Sequence, residues 1–127
     1  MNTPFEIKTS TIPEAGSGVF VLQDFEADSF LELKPRGKTV GVDRHQNDIP
    51  PEYLHYCIAR ENDIWTCPRD FDDMELVWYL NHSDAPNAEL RSDGYYSLIP
   101  IRSGEEVLID YNQFDEPDEK KEMFYRK

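Results

Sequence analysis

Apolar runs in this chain are short, and turn residues cut off every one of them. Phe5 to Thr9 alternates as a half-buried strand does, and Pro13-Glu14-Ala15-Gly16-Ser17-Gly18 then turns the chain into Val19 to Leu22. Ala27-Asp28 precedes Ser29 to Leu33, and Pro35-Arg36-Gly37 ends that run. Ala88 to Arg91, the turn Ser92-Asp93-Gly94 and Tyr95 to Ile101 read as a hairpin; Ser103-Gly104 then leads into Val107 to Ile109. No segment supports a long helix or repeats another. The pattern predicts an irregular, β-rich α+β domain of many short strands and small helices.

Two short helices are expected. Pro50-Pro51 suits a helix start, because proline's missing N–H does no harm there, and Leu54/Ile58 and Tyr53/Cys57 each lie four apart. A second helix is predicted from near Asp72 to Asn81. Glu75 stands at a capping-box spacing, and Met74, Val77, Trp78 and Tyr79 would face the core. The stretch from Val42 to Asp73 reads as the irregular part, apart from a strand at Ile64 to Thr66. The tail from Asp115 is charged, with Pro117 near a helix start and Met123, Phe124 and Tyr125 among its charges.

The chain has 127 residues, the size of one domain with one core. Its aromatic content predicts a core built on Phe, Tyr and Trp. Thirteen Lys and Arg stand against twenty-six Asp and Glu, a net charge of -13. That balance argues against direct binding to nucleic acid, whose partners are usually basic. It suits either steering of a basic partner or simple solubility. Two cysteines, Cys57 and Cys67, make neither a disulfide framework nor a four-ligand zinc site, and are expected as reduced, partly buried thiols. His45, His55 and His82 lack ligand spacing, so no metal is expected. No apolar run is long enough for a membrane span and no signal-peptide core is present, so an intracellular, soluble protein is expected.

Three stretches carry chemistry-bearing residues. Gly16-Ser17-Gly18 is a turn that uses glycine's freedom, or a place where backbone closely approaches a ligand. Asn81-His82-Ser83-Asp84-Ala85-Pro86-Asn87 sets two amides and an imidazole around a proline; each suits a helix end or turn as well as a ligand site. Tyr111 follows Asp110 at the end of Gly104-Glu105-Glu106-Val107-Leu108-Ile109, either as a core tyrosine or as a phenol at a reaction center.

In this order and spacing, Gly16-Ser17-Gly18-Val19-Phe20, the Asn81–Asn87 loop and Gly104–Tyr111 resemble the SET domain of protein-lysine methyltransferases, over about residues 5 to 112. The resemblance implies small sheets around a knot-like C-terminal crossing. It divides the chain into a domain at 1–112, with a variable insert at about 38–73, and a charged, helical tail at 113–127. It implies S-adenosylmethionine as cofactor and methyl transfer to a lysine amine of a basic protein or peptide. Carried onto these positions, Gly16, Ser17 and Gly18 face the methionine end of the cofactor and Asn81 and His82 its adenosine side, partly through backbone. Tyr79 lines the site and Tyr111 is catalytic. Leu33, Tyr79, Ile109 and Tyr111 form the substrate channel.

Departures from the family pattern are local. Asp84 stands where the loop usually has cysteine, and Leu33 where many members have a channel tyrosine. Ile109 takes the place of a product-controlling aromatic, which leaves room for higher methylation states. No cysteine-rich zinc segment follows Tyr111, so Phe124 or Tyr125 is the candidate to stack on adenine; a solvated, frayed tail is the alternative. The insert suits a specificity element or a homodimer contact. Two other functions stand beside this one: a SET-fold binding module without catalysis, which Leu33 and the missing zinc segment favor, and an acidic protein that masks basic surfaces by charge.

Overall fold

A computed structural model describes residues 3–34, 40–114 and 116–117. Among these residues, ten short strands form four small sheets. β1 (Phe5–Thr9) and β2 (Ser17–Val21) pair antiparallel, with Phe5 opposite Val21 and Thr9 opposite Ser17. β3 (Phe30–Leu31), β9 (Gly94–Ser97) and β8 (Ala88–Arg91) make a second sheet with β9 central. β4 (Gly41–His45), β6 (Ile64–Pro68) and β5 (Ile58–Ala59) make a third. β7 (Asn81–His82) and β10 (Leu108–Ile109) form a two-stranded parallel pair.

The expected β-rich architecture of small sheets is the one found. Every helix among the described residues is a short 3₁₀ turn, at Gln46–Asp48, Pro51–Tyr56, Leu76–Tyr79 and Tyr111–Phe114. The predicted helix from Asp72 to Asn81 is therefore a correction. Asp70 closes a turn instead, its Oδ1 accepting from the Asp72 amide at 2.9 Å. Glu75 caps nothing; its Oε1 accepts from Trp78 Nε1 at 3.0 Å. The Val77 amide donates to the Leu33 carbonyl at 3.2 Å, outside any helix. One turn held this way is too short to nucleate an α-helix. Leu76, Val77 and Tyr79 pack against the main core, whereas Trp78 turns to the cavities described below.

The middle of the chain is more regular than expected. β4, β5 and β6 close a sheet over a small core of Ile49, Cys57 and Cys67, with Leu54, Trp65 and Phe71 packed against it. Both cysteines are free and buried. Burial pushes the Cys57 thiol up, and its neighbor Cys67 adds to the shift.

The main core corrects the composition argument. Phe5, Val19, Val21, Leu31, Leu33, Leu80, Ala88, Tyr95, Ile101, Val107 and Ile109 form it, so it is chiefly aliphatic. Most aromatic side chains among the described residues are half-buried, and Tyr56, Trp65, Trp78, Tyr79, Tyr111 and Phe114 wall the cavities described below. The Asn81–Asn87 loop grips β10 along its length. The Ser83 amide donates to the Ile109 carbonyl at 2.8 Å, and the Asn87 amide to the Leu108 carbonyl at 3.1 Å. The Asn87 side chain completes the grip: Oδ1 accepts from the Leu108 amide and Nδ2 donates to the Glu106 carbonyl, both at 2.8 Å. The tail predicted at 113–127 lies almost wholly outside the described residues, as do Phe124 and Tyr125.

Candidate active site

The parallel pair β7–β10 sets Leu108 beside Asn81 and Ile109 beside His82, and so brings two sequence-distant motifs together. Tyr111 follows directly. Its backbone N–H donates to His82 Nδ1 at 3.0 Å. An imidazole nitrogen that accepts carries no proton, so the ring's proton sits on Nε2 and is donated to Asp84 Oδ1 at 2.9 Å. Asp84, the departure from the family loop, thus holds His82 in one tautomer. The Asp110 carboxylate stands 3.6 Å from Nδ1 on the other side. The Tyr111 hydroxyl donates to the Leu80 carbonyl at 2.6 Å.

Asn81 is committed to the scaffold. Its Nδ2 donates to the Ser17 carbonyl and to Glu106 Oε2, each at 2.9 Å. Glu106 is buried and gathers donors from three residues. Besides Asn81 it accepts from Ser10 Oγ at 2.8 Å, the Thr11 amide at 2.9 Å and Thr11 Oγ1 at 2.6 Å. Burial pushes this carboxyl up, but the hydrogen bonds from Asn81, Thr11 and Ser10 outweigh it and hold the carboxyl below its usual range.

The same cluster explains a glycine. A Cβ on Gly18 would collide with the Glu106 carboxylate and lie 3.0 Å from Asn81 Nδ2. Gly18 therefore lets the β2 backbone approach this bolt and lines neither cavity. Gly16 differs: its φ is +76°, and nothing stands within 4 Å of where a Cβ would be.

Two cavities meet at Tyr111. The smaller, about 320 Å³, is lined by Gly16, Ser17, Tyr79, Asn81 and His82 together with Tyr111. The larger, about 620 Å³, is walled by Trp65, Trp78, Tyr95, Leu90 and Ile109 together with Tyr111. Tyr56, Trp78, Leu80 and His55 also touch both. Six of the predicted site residues thus share the smaller cavity, and Ile109 and Tyr111 share the larger. Leu33 is placed in the main core and lines neither cavity. Tyr79 packs edge-on against Tyr56, their ring centroids 5.6 Å apart. Burial, then the nearby phenols of Tyr56 and Tyr53, push the Tyr79 hydroxyl up.

Sequence reasoning missed Glu106, Tyr56 and Trp78. Glu106 looks like a solvated acid beside Glu105, and nothing local distinguishes the two. Tyr56 comes from the insert, whose path no motif reveals.

Residues 16–112 match the family model described as SET domain. Among curated proteins, a SET domain-containing protein of Dictyostelium discoideum is 42% identical over 52 residues, covering 38% of this chain; the chain spans only 13% of that relative's length. A solved structure of a candidate histone methyltransferase of Plasmodium falciparum superposes with a TM-score of 0.54 at 22% identity, over 87% of this chain and 95% of its own. A structure of Polycomb Repressive Complex 2 bound to S-adenosylmethionine gives a TM-score of 0.62 at 16% identity, over 89% of this chain and 16% of that one. A humanized mutant of the Chaetomium thermophilum complex, bound to an inhibitor, gives 0.61 at 17% identity, over 89% of this chain and 15% of that one. At these identities the structural likeness is one of fold. The family match covers most of the chain and contains the Asn81 loop, the β10 strand and Tyr111: the chain belongs to the SET domain family.

Proposed function

We propose that this chain transfers the methyl group of S-adenosylmethionine to the side-chain amine of lysine in a basic protein, with Tyr111 as the catalytic residue. The observation that carries the reading is the shared wall: Tyr111 belongs to both cavities, with Gly16, Ser17, Asn81 and His82 only in the smaller and Trp65, Leu90, Tyr95 and Ile109 only in the larger. The smaller cavity takes the cofactor and the larger one the substrate side chain.

The smaller cavity fits its assigned ligand in two respects. Gly16 leaves open space on the turn, so a ligand can approach the backbone there. The Asn81 amide and the His82 ring are engaged with protein partners, so these residues offer backbone groups, with the Tyr79 ring as a flat wall. Bound S-adenosylmethionine supplies an electrophilic methyl group on a positively charged sulfur.

This chain's residues must deliver the amine as free base. Deprotonating lysine at neutral pH costs roughly 4–5 kcal/mol from its reference pKa of about 10.4. Apolar walls lower that cost by disfavoring the ammonium. Tyr111 has spent its proton on Leu80, so its oxygen accepts an amine N–H and orients the lone pair. The net charge of -13 steers a basic partner toward the surface.

The test is incubation of the full chain with labeled S-adenosylmethionine and a panel of basic proteins. Label on lysine of at least one member is the expected result. Tight cofactor binding without transfer to any member would instead make the chain a binding module. Binding of basic proteins that high salt abolishes, with no cofactor affinity, would leave only the charge as functional.

A further inference from the structure

Tyr95 lies outside the three motifs and carries a hydroxyl with no hydrogen-bond partner among the described residues. It lies in β9 opposite Leu31 of β3, and only 3% of its surface is exposed. No group among the described residues hydrogen-bonds its hydroxyl, whereas the hydroxyls of Tyr96 and Tyr111 bond Asp93 and the Leu80 carbonyl. No enclosed side-chain oxygen or nitrogen among the described residues lacks a partner. The Tyr95 hydroxyl is therefore not fully enclosed, and the residue lines the larger cavity.

Leaving a desolvated hydroxyl without a partner is unfavorable, and folded proteins rarely do so without a use for it. Burial also pushes this phenol up, so it stays protonated and neutral. Charged groups around the same cavity already have partners: Arg91 binds Asp28 and Glu89, Arg60 binds Thr66, and Glu116 accepts from the Ala59 amide. Leu54, Ile58, Leu90, Trp65 and Trp78 give the rest an apolar character. An apolar cavity with a few convergent polar groups selects a ligand with an apolar stem and a polar tip.

We propose that Tyr95 is a substrate-recognition residue whose phenolic oxygen accepts an N–H of the substrate lysine amine at the end of its apolar stem. The inference rests on the reading that the larger cavity takes lysine, and it assigns the specificity of that cavity to a residue outside the three motifs. An oxygen that accepts an N–H leaves the nitrogen lone pair free, so recognition does not compete with nucleophilic attack. It also accounts for Leu33: the hydroxyl comes from β9, while the Leu33 side chain belongs to the main core.

The experiment compares wild type and Tyr95→Phe, as full chains, in chemical-shift titrations with N-acetyl-lysine methylamide and N-acetyl-norleucine methylamide. The probes share a four-carbon stem and differ at the amine. The ratio of lysine to norleucine affinity is expected to be about tenfold higher in wild type than in Tyr95→Phe. The melting temperature of Tyr95→Phe is expected to match or exceed that of wild type, since the lost hydroxyl bonded no protein group. An unchanged affinity ratio overturns the proposal, and so does absence of binding by both probes. A melting temperature several degrees lower overturns it too, by revealing a structural hydrogen bond. Because the readout is binding, Tyr95-dependent discrimination stands even if no methyl transfer is found.

Discussion

His82 Nδ1 receives the backbone N–H of Tyr111 at 3.0 Å, so the loop histidine fixes where the tyrosine begins. The imidazole is 4% exposed, while Asp84, which holds its other nitrogen, is 79% exposed. Two unequal losses follow. His82→Ala orphans a backbone donor and empties buried space, at a cost of about 1–3 kcal/mol for the donor alone. Asp84→Ala removes an exposed partner, at about 1 kcal/mol or less. Urea denaturation of both variants measures this; equal losses would show that the Tyr111–His82 bond holds nothing.

Glu106 gives the fold a specific acid sensitivity. Its folded carboxyl titrates below the unfolded value, which is about 4.3. The stability it contributes is therefore complete above that value and is lost as pH falls through the lower, folded one. Glu106→Gln should be less stable at pH 7 by about 1–3 kcal/mol and should lose less on acidification. Urea midpoints measured from pH 7 to 3 check this. Parallel curves for wild type and variant would mean that the Ser10, Thr11 and Asn81 bonds do not favor the ionized form.

Ile109 is buried and borders the larger cavity two residues before Tyr111. A branched aliphatic leaves more room there than an aromatic ring, so di- and trimethyl-lysine are the expected products. Ile109→Phe should shift the product toward monomethyl-lysine. Mass spectrometry with excess cofactor and long incubation reads the distribution; only monomethyl product from wild type would contradict the assignment.

Phe124 lies outside the described residues, and its role as a stacking partner for adenine is a proposal from sequence. Deleting residues 120–127 should weaken S-adenosylmethionine binding severalfold, by about 1 kcal/mol or more for one aromatic stack. Calorimetric titration measures the change, and an unaltered Kd would remove the tail from the site.

Much of this arrangement is legible in the sequence where a residue's role is local. The Ser92-Asp93-Gly94 turn announces the β8–β9 hairpin, and the alternation from Phe5 announces β1. The three motifs mark Gly16, Asn81, His82 and Tyr111, and the fold gathers these four at one cavity. Roles set by distant partners are not legible. β4 carries Asp43, Arg44 and His45 and shows no apolar alternation; Arg44 is held by the carbonyls of Pro68 and Arg69 and lies over the Phe71 ring. Asp84 and Glu106 look like ordinary surface acids until the fold supplies their donors. The helix expected before Asn81 fails because Val77 gives its amide to Leu33.

Methyl transfer by Tyr111→Phe, measured beside its affinity for S-adenosylmethionine, tests the central claim most directly. The substitution removes the phenolic oxygen and the Leu80 bond while keeping the ring beside His82 and Phe114. The expected result is a cofactor Kd within about threefold of wild type and a kcat lower by about two orders of magnitude or more, about 3 kcal/mol of lost positioning. A variant that transfers methyl groups at the wild-type rate would contradict it.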